Sequence, residues 1–116
     1  MNDRPVLGLT EEITIIGNNG QERKMLARVD SGATASSIDI AIAEELELGP
    51  VTRTKVVKSA SGVVKRPIVK VQVRINSSVV EAEFTLADRN HMTYSALIGQ
   101  NILKEGKFLS DPLKSE

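Results

Sequence analysis

The chain has 116 residues, 41% hydrophobic but only 3% aromatic, with fifteen basic residues balancing fifteen acidic ones and no cysteine. That length suits one compact domain spanning residues 1–116, with a core built from Val, Ile, Leu and Ala. The charge balance argues against broad nucleic-acid binding and the lack of cysteine rules out a disulfide framework or thiol nucleophile, while the absence of a long apolar run or signal-peptide core gives the cytoplasm, with no membrane partner, as the expected location.

The opening residues MNDRP read as an arm. EITII (12–16), the glycine-flanked turn GNNG (17–20) and KMLARV (24–29) read as a hairpin. The last strand of that hairpin runs straight into DSGATASS. IAIAEELEL (40–48), stopped by Gly49 and Pro50, predicts a short helix. In TKVVKSASGVVKRP two Val-rich arms flank a small polar tip at Ser59, Ala60, Ser61 and Gly62, which predicts a second hairpin. RPIVKVQVRI places Val69, Val71, Val73 and Ile75 on one face and Lys70, Gln72 and Arg74 on the other, the period of a half-buried strand. After the turn NSS (76–78), VVEAEFTLA alternates in the same way, with Val80, Ala82, Phe84 and Leu86 on one side. A second short helix is expected after Gly99, in QNILKEG, and DPLKSE reads as a tail. The pattern is all-β, and a chain with several hairpins at this size closes into a small barrel or packs as a sandwich.

Few residues can move protons. His91 is the single histidine, and with Asp88 it supplies only two candidate metal ligands; HExxH and a phosphate-cradling GxxxxGK[ST] are both absent. A serine nucleophile would have to use His91 as its base. Carboxylates remain, and Asp30 stands out by context. The strand LARV delivers it at a fixed position, Ser31 can hydrogen-bond beside it, Gly32 removes a Cβ where another backbone or a substrate could approach, and Ala33 keeps the turn small. Asp, Ser and Gly are also the commonest turn residues, so DSG by itself is a turn. The later segment SALIGQNIL (95–103) places an apolar run with Leu97 and Ile98 directly before Gly99, and the two segments together are a rarer combination.

This combination resembles the retropepsin-type aspartic proteases. Across RVDSGATASS, RPIVKVQV, FTLADRNHMTYSALIGQNIL and FLSDP the chain is similar to a bacterial and archaeal family labelled ATP-dependent zinc proteases, whose members read better as retropepsin-like. The resemblance implies a small closed acid-protease barrel with one or two short helices. It makes Asp30 the catalytic acid and Ser31, Gly32, Ala33, Leu97, Ile98 and Gly99 the support of its loop. It makes the tip at Ser59, Ala60, Ser61 and Gly62 a flap over the substrate. No metal or cofactor is implied. The chain departs from the family pattern at Ala35, Ser95 and Gln100, where Thr, Pro and Arg are usual.

Amide hydrolysis by carboxylates needs two of them close together, one ionised to activate water and one protonated to polarise the carbonyl. The chain has one D-[ST]-G, so the second acid has to come from another copy, and a homodimer acting on a peptide or protein substrate is expected. Lys55, Lys58, Lys65, Arg66 and Lys70 along the second hairpin and the strand that continues it are either a solvated strand face or a match for acidic peptides, the latter in keeping with relatives associated with ligases that append glutamates. The alternative is a dimeric module of the same fold that holds a peptide without cutting it.

Overall fold

The computed structural model describes residues 4–114, organised as β1 (Val6–Leu7), β2 (Thr10–Ile16), β3 (Glu22–Val29), β4 (Ser36–Asp39), α1 (Ile40–Glu45), β5 (Val51–Ser59), β6 (Gly62–Ile75), β7 (Ser78–Ala87), β8 (Ala96–Ile98), α2 (Gln100–Glu105) and β9 (Leu109–Ser110). The strands pair in the order β2–β3–β8–β4–β7–β6, and β6 returns to β2 through Ile13↔Ile75 to Ile16↔Gln72. The result is a closed six-stranded barrel with two short helices.

Closure follows from the alternation. Ile13 and Ile15 on β2, Val69, Val71, Val73 and Ile75 on β6, and Val80, Ala82 and Phe84 on β7 are all buried. A six-stranded ring is narrow enough for such side chains to fill. Each buried aliphatic contributes about 1.5–3 kcal/mol relative to exposure, so β-branched residues at period two suffice without a large aromatic cluster.

β6 is longer than the barrel needs. Its C-terminal half pairs with both β2 and β7, whereas residues 62–67 pair only with β5. Val56, Val63 and Val64 in this part are exposed. The β5–β6 hairpin therefore projects from the barrel, and Ser59↔Gly62 leaves Ala60 and Ser61 as its tip. Gly62 has φ +128°, a conformation open to glycine and strained for other residues.

α1 ends earlier than the Gly49 and Pro50 signals predict, whereas α2 stops directly before Gly106. The Leu48 N–H returns to the Ala43 carbonyl and the Glu47 N–H to Glu44, with Glu47 at φ 53°. Phe108, Lys107 and the carbonyls of Leu103 and Lys104 repeat this pattern, again with φ 53° at Lys107. Each helix thus closes with a Schellman motif whose left-handed residue is charged and not glycine.

Three elements differ from expectation. β4 forms within the polar stretch SSID, which shows no clear alternation. Residues 6–7 and 109–110, expected in or next to free arms, pair in parallel as β1 and β9, since the barrel brings the two ends of the chain together. Residues 1–3 and 115–116 lie outside the described residues. Among the described residues no helix is long and apolar enough to cross a membrane.

Candidate active site

β8 sits between β3 and β4. It runs parallel to β3 (Arg28↔Leu97, Val29↔Ile98) and antiparallel to β4 (Ser37↔Leu97, Ile38↔Ala96). β3 and β4 are joined by residues 30–35, so that loop has to cross the end of β8. Gly99 is at the crossing. A Cβ there would overlap the Ala35 carbonyl oxygen and lie 2.7 Å from the Ala35 carbonyl carbon and 3.0 Å from the Ala33 oxygen. This backbone-on-backbone contact is the physical reason for the glycine, and Leu97, Ile98 and Gly99 lie beside the Asp30 loop.

Hydrogen bonds fix the crossing on both sides. The Asp30 N–H donates to the Ile98 carbonyl (2.9 Å), and the Gln100 and Asn101 N–H groups donate to the carbonyls of Ala33 (2.8 Å) and Thr34 (3.3 Å). The first two amides of α2, which lack partners in their own helix, are thereby satisfied by the loop. The Gln100 Nε2 also donates to the Ser31 carbonyl at 2.8 Å. Gln100, where the resembled family has Arg, thus braces the same loop through a neutral amide.

Ser36 is the residue that sequence reasoning missed. It is fully buried; its Oγ accepts from the Gly99 N–H (2.8 Å) and donates to Asn101 Oδ1 (2.6 Å), and Asn101 Nδ2 donates to the Glu83 carbonyl on β7 (2.9 Å). Nothing in TASSID distinguishes Ser36 from its neighbour Ser37, because its partners lie more than sixty residues away. Ser36→Ala leaves a buried N–H and a half-buried amide oxygen without this partner. It is expected to destabilise the fold by about 2–3 kcal/mol, read as a lower urea midpoint at unchanged slope.

Asp30 itself is half-buried at the open end of this support. Its Oδ1 accepts the Gly32 N–H at 3.0 Å and its carbonyl accepts the Ala33 N–H at 3.1 Å. The segment is thus a tight turn and a mount for a carboxylate together. Ser31 and Gly32 face solvent. Among the described residues Ser31 Oγ has no hydrogen-bond partner, and a Cβ on Gly32 would meet only Asp30 Oδ1, at 3.3 Å.

A groove of about 390 Å³ opens beside the carboxylate, lined by Arg28, Asp30, Arg89, His91, Tyr94 and Leu97 among others. One wall is the loop of residues 88–95, which Arg89 pins down. Its backbone N–H donates to Asp39 Oδ1 (2.8 Å), its Nε to the Tyr94 carbonyl (3.1 Å) and an Nη to Ser37 Oγ (3.0 Å). Burial pulls the Arg89 guanidinium below its ordinary range, and the Asp39 carboxylate partly restores it. Asp88 does not pair with Arg89; its Oδ1 takes the Asn90 N–H at 3.1 Å. Among the described residues no three His, Asp or Glu side chains stand close enough together to hold a metal ion.

A second cleft, lined by Thr34, Ala35, Arg53, Lys55, Ile68, Glu83, Thr85 and Asn101, lies between the loop and the base of the projecting hairpin. There Arg53 reaches Glu83 at 2.8 Å and holds its carboxyl below the usual range. Of the tip residues, Ser59, Ala60, Ser61 and Gly62 end the hairpin that rises from this cleft.

Residues 41–116 match the sequence model of the RimB-like family, described as retropepsin-like aspartic endopeptidase RimB. The chain belongs to the RimB-like family. The matched segment contains β8, Gly99 and α2 and begins beyond the Asp30 loop. Its description is of an aspartic endopeptidase, with no mention of zinc. No curated protein gives a significant match. Among solved structures, the fold is similar to Lpg0085, a protein of unknown function (DUF785) from Legionella pneumophila (16% identity, 96% of this chain and 95% of that one, TM-score 0.66). It is also similar to the simian foamy virus protease (21% identity, 82% of this chain and 91% of that one, TM-score 0.63). At these identities the likeness is one of fold, and the RimB-like chain shares its barrel with a retroviral-type protease.

Proposed function

We propose that this protein is an aspartic endopeptidase, a single retropepsin-like domain that works as a homodimer. Each copy brings Asp30 to a two-fold axis. The ionised member of the pair takes a proton from water, and the protonated member donates to the scissile carbonyl as the tetrahedral intermediate forms. The observation that carries this reading is the one-sidedness of the Asp30 loop. Its inner side is interlocked with β8 and α2, while its outer side presents an unpartnered Ser31 hydroxyl and an uncrowded Gly32. A second loop fits there: Ser31 supplies a hydrogen bond across the axis and Gly32 admits the approach. The projecting hairpin then closes over an extended peptide, with its tip at residues 59–62 as the flap.

Acidic peptides are the substrate class that the grooves favour. Arg28 lies in the groove beside Asp30 and Lys55 in the cleft under the hairpin. Among the described residues neither has an ion-pair partner, in contrast to Arg53. A statine-type transition-state mimic is expected to stop cleavage, and a chelator to leave it unchanged. Acidic peptides are expected to be cut faster than neutral ones of equal length. Sensitivity to the chelator with indifference to the statine would overturn the mechanism, and equal cleavage of both peptide classes would overturn the substrate assignment.

A further inference from the structure

The two strands of the projecting hairpin leave the barrel at the same level, and each carries a break there. On β5 the register steps from Val51↔Val69 to Arg53↔Ile68, so Thr52 is an extra residue, a β-bulge. Its Oγ1 donates to the Ile68 carbonyl at 3.1 Å. A bulge interrupts the ladder and bends its strand. On β6 the pairing with β7 ends at Ile68↔Thr85, and the next residue outward, Pro67, has no N–H to extend it. An arm that leaves its sheet through two such breaks is hinged at them.

An ion pair spans this hinge. Arg53 is the first residue of β5 beyond the bulge; its Nη2 lies 2.8 Å from Glu83 Oε1 and its Nε 3.5 Å from Oε2. Glu83 belongs to β7, with β6 between it and β5, so the pair ties the arm to the barrel wall. Both side chains reach water, at 63% and 34% exposure, and such a pair is weak enough to open. Lys70 faces Glu83 from β6, and Glu81 and Glu105 line the cleft on the other side of Glu83. Further out the arm is short of acceptors. Lys55 faces Arg66 across the hairpin, a like-charge pair that opposes itself. Among the described residues Arg66 Nε is buried with no hydrogen-bond partner. The charges of the arm are thus met at its base, by Glu83, and left unmet above it.

We propose that Arg53 and Glu83 form the latch of a hinged flap: while they are paired the hairpin is held to the barrel, and when they part it swings as an arm about Thr52 and Pro67. Glu83 is then a positioning residue that acts on the substrate through the flap, an assignment that rests on the reading of this hairpin above. The bond from Arg53 holds the Glu83 carboxyl below the usual range; burial opposes this, and the charges of Arg53 and Lys70 add to it. A carboxyl lowered in this way keeps its stabilising effect above the ordinary carboxylate range and loses it as pH falls through its own lowered value. The latch is therefore complete at neutral pH and opens in acid, and salt weakens it.

The cysteine-free chain makes the test direct, because nitroxide labels can be placed at Lys58→Cys on the hairpin and Lys24→Cys on β3, both exposed. Labelled chains are diluted with excess unlabelled protein, and the label-to-label distance is read by pulsed electron paramagnetic resonance. At neutral pH and low salt one dominant distance is expected. Glu83→Gln and Arg53→Gln should each lower the ratio of latched to displaced hairpins about two- to fivefold, the range for an exposed ion pair, with the urea midpoint unchanged. The double variant Arg53→Gln/Glu83→Gln should fall no further than Glu83→Gln alone. Salt at roughly 1 M, where the screening length is about 3 Å, or acid should bring the parent protein to the same distribution. Glu83→Gln, which keeps Glu81 and Glu105, should not respond to acid. Distances unchanged in both single variants, or effects that multiply in the double variant, overturn the latch. A lowered urea midpoint with unchanged distances makes the pair merely structural and overturns it too. A latch that opens as described in a protein whose cleavage does not depend on Asp30 removes the protease reading and leaves the latch.

Discussion

Asp30→Asn is expected to lower peptide cleavage by about 10³-fold or more while the native mass stays that of two chains. The substitution preserves shape. The Gly32 N–H can still donate to a side-chain oxygen, and the bond from the Asp30 amide to the Ile98 carbonyl belongs to the backbone. The lost property is proton exchange, because a carboxamide neither takes a proton from water nor carries one to a carbonyl at neutral pH. Symmetry sharpens the outcome. A dimer with one Asp and one Asn lacks one of the two roles, so an equal, re-equilibrated mixture of wild type and variant should have about a quarter of the activity of the same total amount of wild type. A fall to one half would mean that each chain cuts by itself. Undiminished cleavage by the pure variant would remove Asp30 from the mechanism. A wild-type protein that binds peptides and never cuts them would be a binding module on the same barrel.

Gly99→Ala is expected to cost about 4 kcal/mol or more, most of the 5–15 kcal/mol that holds a typical domain together. The methyl group would land on the Ala35 carbonyl and against Ala33, both backbone. Relief would require parting the loop from β8, which breaks the bonds of Asp30, Gln100 and Asn101 together. Urea unfolding of the purified variant, or its failure to accumulate as soluble protein, reads the effect. Gly32→Ala is the contrasting substitution. Its Cβ would meet only the tip of its own Asp30 side chain, so the stability of the single chain should change by less than about 1 kcal/mol. If two loops meet at the axis, the same methyl falls between them, and dimer affinity and cleavage drop although the chain stays folded.

These expectations show which parts of the molecule were legible in its sequence. The alternation in RPIVKVQVRI and VVEAEFTLA specified β6, β7 and their inward faces, because a two-residue period has one common physical cause. DSGA and the later LIG were legible as a pair, since an acid after a buried strand and a glycine after an apolar run each leave a local trace. Ser36 left none. Its hydroxyl matters because of Gly99 and Asn101, and a serine between Ala35 and Ser37 has the composition of a loop. The terminal strands were illegible for a similar reason. Two residues are too few for a period, and their pairing depends on where the barrel leaves the chain ends. The stop of α1 was misplaced because Glu47 adopts the left-handed conformation usually assigned to the nearby glycine.

The threading of β8 between β3 and β4 also sets the order of assembly. The bonds that shape the Asp30 loop span 63, 65 and 69 residues of chain: Gly99 to Ser36, Ser36 to Asn101 and Gln100 to Ser31. Contacts of such long sequence separation form late and slow the folding of the whole. During synthesis, when the N-terminal hairpin leaves the ribosome, its aspartate is on a loop with nothing beneath it. The segment that makes it rigid is made more than sixty residues later. The Asp30 loop therefore takes its shape only once β8 and α2 have been made and can pack against it.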